Sequence, residues 1–261
     1  MKEMVIDHKD TDQRKTVRVA SMGNVDSGKS TLVGIITSSD DAADDGRGSL
    51  RKKVFNYAHE MENGRTSSIS YEIVCFDKNG KQVLPESKSK KKNVIWPDIV
   101  NRSAKVVSLN DLCGHEKYLK TTMYGLTGLF PHYGMVVVGA NMGIQRMTRE
   151  HIGIAVSLKI PLFVVVTKLD LAPEPVYIAT MEKLTKILKG TFCNLLPFNV
   201  TSEDQLPDLA EKMHDRSKVV PIFSVSNVTR QGIDLLKKFY SLLEPNDREL
   251  MRQDGTAHNL S

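Results

Sequence analysis

The octapeptide GNVDSGKS, Gly23 to Ser30, constrains this chain more than any other stretch, because it sets two glycines, a lysine and a hydroxyl at the spacing GxxxxGK[ST]. A β-rich run, Thr16–Met22, precedes it, and an apolar run, STLVGII, follows it. That is the strand–loop–helix setting the spacing requires. Glycines let the backbone turn tightly and aim N–H groups at phosphate oxygens, while the amino end of the helix adds positive potential. Lys29 is expected to reach the β- and γ-phosphates of a nucleotide, and Ser30 to bind Mg²⁺ through its hydroxyl. Asn24, Val25, Asp26, Ser27, Gly28 and Thr31 complete the candidate phosphate loop.

Strand and helix patterns alternate along the rest of the chain. Strand-like runs fall at Thr16–Met22, Ile69–Phe76, Lys105–Asn110, Tyr133–Ala140, Pro161–Thr167 and Val219–Val225. Several, such as MVVVGA and PLFVVVT, are nearly continuous apolar runs, as parallel strands covered on both faces require. Helix-like segments lie at Lys29–Thr37, Thr148–Lys159, Glu174–Lys189 and Gly232–Leu243. The expected fold is α/β, a P-loop NTPase domain of three α/β/α layers around a mainly parallel sheet of about six strands. Its expected extent is residues 16–244, with tails at 1–15 and 245–261.

The 261 residues carry a formal charge of +5, and its location matters more than its size. Between Asp77 and Lys105 stand eight basic and three acidic side chains, which matches the whole excess. The segment at about 77–103 contains DKNG and SKSKKK and reads as an inserted, exposed loop or hairpin. Its lysines 88, 90, 91 and 92 are of the kind that contacts RNA phosphates, though a solvated loop is the simpler reading of a charge run. Trp96 is the lone aromatic there, so base stacking has no support. Three widely spaced cysteines, Cys75, Cys113 and Cys193, argue against a disulfide framework or a zinc site. No apolar stretch approaches a membrane span, and the charged first 15 residues do not resemble a signal peptide. A cytoplasmic, monomeric protein without a membrane partner is expected.

Two further strings fit the first. In DLCG, Asp111 closes the strand KVVSLN, where a carboxylate faces a metal through water and the Gly114 N–H meets the γ-phosphate. In TKLD, Thr167–Asp170 closes the strand PLFVVV. There Asp170 accepts from the N1–H and exocyclic amine of guanine, a donor pair adenine lacks, and the stem of Lys168 lies along the base. The expected ligand is GTP or GDP with Mg²⁺.

GNVDSGKST followed by DLCGHEKYLKTT resembles the elongation-factor Tu-like translational GTPases. ENGRTSS, GRG, MTREHIG, FVVVTKLD and PIFSVSNVT are similar to the branch called GTP-binding proteins one and two. The resemblance covers about residues 14–243. It implies that Thr66 is the switch threonine on Mg²⁺ and the γ-phosphate, with Ser67 and Ser68 as rival hydroxyls. It implies that His115 positions the attacking water, beside Lys29, Thr66 and Gly114. Ser226, Asn227 and Val228 match the last guanine-contacting loop, through its backbone. Asp26 matches an acid associated with a structural monovalent cation, helped by the Gly64 carbonyl, and is otherwise a plain loop carboxylate.

Two positions depart from the pattern. The base motif normally opens with Asn, whose amide ties the base loop to the P-loop; Thr167 is shorter and is expected to make fewer bonds and lower affinity. Arg65 stands where an Ile normally pairs with a P-loop valine, here Val25, to screen the catalytic histidine. The implied function is a slow, Mg²⁺-dependent GTPase switch associated with the ribosome or tRNA through a longer protein bearing β-barrel domains. Glu62–Ser68 and Gly114–Thr127 would be its moving parts. A nucleotide-dependent binding module with negligible hydrolysis is the alternative, and a P-loop kinase or ATPase comes third.

Overall fold

In β1 (Lys15–Gly23), Val17 and Val19 point to one side of the sheet and Ala20 and Met22 to the other, and all four are fully buried. A strand that is apolar on both faces needs a layer of helices over each. The computed structural model of the protein describes residues 14–39, 42–63, 66–86 and 92–246, and shows those layers. After β1 come α1 (Lys29–Ile36), α2 (Ala58–Asn63), β2 (Ser70–Phe76), α3 (Lys92–Asn101), β3 (Lys105–Asp111) and α4 (Leu119–Gly128). Then follow β4 (Tyr133–Gly139), α5 (Arg146–Ser157), β5 (Leu162–Thr167), α6 (Glu174–Lys189), β6 (Leu196–Asn199), α7 (Leu206–His214), β7 (Val219–Ser224) and α8 (Ile233–Leu242).

The sheet runs β2-β3-β1-β4-β5-β7-β6, and every neighbouring pair is parallel except β2 with β3. Helices α1, α7 and α8 bury Leu32, Leu209 and Phe239 against one face. Helices α4, α5 and α6 bury Leu126, Ile152 and Leu184 against the other. Phe163 of β5 holds the first layer together, with ring centroids 5.5 Å from Phe239 and 5.8 Å from Tyr240. Burying a ring of this kind contributes roughly 2–3 kcal/mol.

Among the described residues the sheet has seven strands, one more than the expected six or so. The extra one, β6, is the four-residue edge strand LPFN, whose Leu196 and Phe198 stay exposed. Pro197 breaks the strand pattern there, and an edge position tolerates a proline because one side of the strand makes no ladder bond. The expected loop at 77–103 is partly a helix. DKNG does form a turn, in which Asp77 Oδ1 accepts from the N–H groups of Asn79 and Lys81. But α3 follows, despite Pro97 within it. Ile95 and Ile99, one turn apart, pack it over Cys75 and Val106 at the β2–β3 edge. Lys92 is not a free cation, since its Nζ lies 2.5 Å from the Glu72 carboxylate and over the Trp96 ring. Lysines 88, 90 and 91 lie outside the described residues, as do Gly64, Arg65 and most of both expected tails.

Register brings the carboxyl ends of the strands level. Ser21 pairs with Asp111, Gly23 with Val137, Gly139 with Thr167 and Val166 with Ser224. In open α/β sheets the crevice outside these ends is where ligands bind.

Candidate nucleotide-binding site

A cleft of about 380 Å³ opens at that edge, lined by residues of the phosphate loop, Thr66, Gly114, His115, Lys168, Asp170 and the 227–228 loop. Gly23 ends β1 where a β-carbon would stand 2.3 Å from the Val137 carbonyl oxygen, so no side chain fits. Asp26 has φ 60° and Gly28 φ 86°, turning the loop so that α1 starts at Lys29. Lys29 is buried, and its Nζ lies 2.8 Å from where a β-carbon on Gly114 would sit. The DLCG loop is thus packed directly onto the lysine of the phosphate loop.

Three oxygen-bearing side chains, those of Ser30, Thr66 and Asp111, meet beside it. Ser30 Oγ donates to Asp111 Oδ2 at 2.6 Å, and Ser21 Oγ to Asp111 Oδ1 at 2.6 Å. Thr66 Oγ1 lies 2.9 Å from Ser30 Oγ. Two hydroxyls and a carboxylate are hard oxygen donors, the chemistry that suits Mg²⁺ completed by water and phosphate. The rival hydroxyls point elsewhere: Ser67 Oγ and Ser68 Oγ both donate to Glu60, at 2.9 and 3.1 Å. Among the described residues no group of three His, Cys, Asp or Glu could hold a metal.

Glu60, on α2, was not foreseen. Fully buried, it also accepts backbone N–H bonds from Asn56, Tyr57, Ser67 and Ser68. Burial pushes its carboxyl up, but these bonds outweigh it and hold the pKa below the usual value. A single carboxylate therefore fixes the segment that presents Thr66. In the sequence it is one of two acids in a six-residue helix, with nothing to set it apart from Glu62.

His115 is exposed at the cleft and starts a short 3₁₀ turn, Glu116–Tyr118; its Nδ1 accepts from the Lys117 N–H at 3.1 Å. In the neutral ring this leaves the hydrogen on Nε2. Asp26 is exposed at the rim, and Val25 and Thr31 line the cleft, while Asn24 is not among its lining residues and its carbonyl accepts from Ser27 N–H at 3.4 Å.

At the base end, Ser226 Oγ donates to Asp170 Oδ1 at 2.5 Å and accepts from the N–H groups of Val228 and Thr229. Lys168 has φ 62°, and Leu171 adds an apolar wall that the sequence did not single out. Thr167, expected to make fewer bonds than an Asn, still joins the two loops. The buried hydroxyl donates to the Ser27 carbonyl at 2.6 Å, with the Val138 carbonyl at 3.3 Å, so the tie from base loop to P-loop is kept. Residues 44–48 are likewise tied down at the cleft. Asp44 Oδ2 accepts from Gly46 and Gly48 N–H, its own N–H donates to the Asn227 carbonyl at 2.9 Å, and Arg47 and Arg51 line the cleft. Behind the phosphate loop, His151 of α5 is fully buried with both ring nitrogens unpartnered. Burial, helped by the charge of Lys29, pushes its pKa down to about 4.

This sheet order, with a glycine-rich loop feeding α1 and a cleft at the strand ends, defines an α/β P-loop GTPase domain. Residues 14–246 match the elongation factor Tu GTP-binding domain family, and the chain belongs to it. It is 44% identical to GTP-binding protein 1 of Xenopus laevis over 92% of this chain and 36% of that protein. It is 42% identical to GTP-binding protein 2 of Homo sapiens over 94% of this chain and 40% of that protein. The chain thus spans about two-fifths of these curated relatives or less. Among solved structures, a bacterial selenocysteine-specific elongation factor EF-Sec superposes with a TM-score of 0.55 at 23% identity, over 88% of this chain and 28% of that one. Translation elongation factor SelB from Methanococcus maripaludis, in complex with the GTP analogue GppNHp, gives 0.53 at 19%, over 87% of this chain and 33% of that one. At such identities the likeness is one of fold.

Proposed function

We propose that the chain binds GTP with Mg²⁺ and hydrolyses it slowly, as the switch domain of a cytoplasmic, monomeric, translation-factor-like protein that engages the ribosome or tRNA through its full length. The observation that carries this reading is the convergence of Ser30, Thr66 and Asp111 within hydrogen-bonding distance, beside Lys29, Gly114 and His115. Ser30 and Thr66 would hold Mg²⁺ directly and Asp111 through water; bound Mg²⁺ neutralises charge on the β- and γ-phosphates. Lys29 and the P-loop amides would bind the phosphates, and the Gly114 N–H would meet the γ-phosphate. His115 would place the attacking water. In the structure its Nδ1 is engaged by Lys117, which fits a slow intrinsic rate raised by an external surface. Asp170, held by Ser226, would read the guanine amine and N1–H. Asp26 would hold a monovalent cation at the exposed rim.

No helix among the described residues is long and apolar enough to cross a membrane. GTP turnover by wild type and His115→Ala, with and without ribosomes, tests the reading. A wild type that hydrolyses GTP faster on ribosomes, and a variant that does not, is the expected result. Equal inertness in all four conditions would leave only the binding-module alternative.

A further inference from the structure

Asn227 is buried in the wall of the cleft, and its side chain has no task in the fold. Its main chain is fixed, because its carbonyl accepts from Asp44 N–H at 2.9 Å. The side-chain Oδ1, however, is buried without a hydrogen-bond partner. Such an acceptor is costly to leave unsatisfied, so a buried carboxamide of this kind needs a reason.

Its position supplies one. A β-carbon placed on Gly28 would stand 3.3 Å from Asn227 Nδ2 and 3.4 Å from Thr167 Oγ1, so carboxamide and hydroxyl flank the same P-loop glycine. The Thr167 hydroxyl has a single proton, and that proton is committed to the Ser27 carbonyl at 2.6 Å. Nothing is left on Thr167 to donate toward a base, whereas an Asn there would offer two N–H groups and an acceptor. The carboxamide absent from the end of β5 stands instead on the loop after β7.

We propose that Asn227 is a specificity-determining residue, whose carboxamide supplies toward the guanine edge the donor that Thr167, committed to the Ser27 carbonyl, does not. With Oδ1 buried, the amide hydrogens are the atoms left to a ligand. Donors suit the adjacent N7 and O6 acceptors of guanine and not the N6 amine of adenine. This rests on the guanine-nucleotide reading above.

The test is calorimetric titration of the 261-residue chain and its variants with GDP and ADP, beside thermal unfolding. Asn227→Ala is expected to weaken GDP about tenfold or more, the scale of one lost hydrogen bond to a polar ligand, with the unfolding midpoint nearly unchanged. Adding Thr167→Asn should return the affinity to within about threefold of wild type, because it restores a carboxamide at the normal place. Asn227→Asp, equal in size but without donors, should bind GDP at least as poorly as Asn227→Ala. A GDP affinity unchanged in Asn227→Ala or Asn227→Asp overturns the assignment, as does a loss that Thr167→Asn does not recover. Should the double variant fail to fold, Asn227→Asp decides alone. A wild type that binds no GDP overturns the guanine reading itself, and this assignment with it.

Discussion

The hydroxyl of Thr66, on the segment after α2, lies 2.9 Å from the hydroxyl of Ser30 at the start of α1. Thirty-six residues separate them in sequence, and no strand or helix contains Thr66. What keeps it in place is the neighbouring bond network, in which Ser67 and Ser68 are held by Glu60.

Glu60 should therefore control hydrolysis without touching the nucleotide. Glu60→Ala removes the acceptor for four backbone N–H groups and two hydroxyls, and is expected to lower stability by about 2–4 kcal/mol. Single-turnover GTP hydrolysis should fall at least about tenfold, as expected when a positioning contact is lost, while GDP affinity stays near wild type. Glu60→Gln keeps the shape and should fall between. Equal losses in GDP binding and hydrolysis would place Glu60 in the fold alone.

Asp170 should set the choice of base. Its carboxylate is oriented by Ser226 Oγ at 2.5 Å. Asp170→Asn replaces one acceptor by a donor, which mismatches the guanine amine and matches the 2-carbonyl of xanthine. Competition binding should show GDP weakened by about a hundredfold or more and xanthosine diphosphate strengthened. A variant that keeps its preference for GDP would remove Asp170 from base recognition.

His151 should make the domain acid-labile. Its pKa falls from the ordinary 6.5 to about 4 on folding, so between those values the unfolded chain binds a proton that the folded chain refuses. Its contribution to stability is complete above about pH 6.5, declines as pH falls and levels off below about 4, with a total of roughly 3 kcal/mol. Denaturant unfolding at pH 7 and pH 4.5 should show a smaller difference in His151→Phe than in wild type. Identical differences would contradict the assignment.

Lys105 should stabilise the domain and leave the nucleotide untouched. Its buried Nζ donates to the carbonyls of Ser241 and Leu243 at 2.6 and 2.8 Å and to Glu244 at 3.2 Å, closing the carboxyl end of α8. It pairs in register with Lys15, at the end of the sheet opposite the cleft. Lys105→Met leaves three acceptors without this donor and should cost about 2–4 kcal/mol in chemical denaturation. GDP affinity should not change, and a parallel loss would show that the two ends of the sheet are coupled.

How much of this was legible in the sequence follows the range of the interactions. The phosphate loop, DLCG and TKLD are local, because a glycine spacing or a carboxylate at a strand end is set by a few adjacent residues; Asp170 lines the cleft and the buried Asp111 bonds to Ser30 in its wall. Edge strand β6 was hidden by Pro197, and α3 by Pro97 and the lysines before it, since composition spoke louder than the Ile95–Ile99 spacing. Glu60, Asp44 and the bond from Thr167 to Ser27 were beyond reach, because each depends on residues brought together only by the sheet.

The most direct test of the central claim is equilibrium titration of the purified chain, in one Mg²⁺-containing buffer, with GTP and with ATP. The expected result is GTP binding at least about a hundredfold tighter than ATP, the scale of a site whose polar groups are left unpaired by the wrong base. ATP binding as tightly as GTP, or neither binding at all, would contradict it.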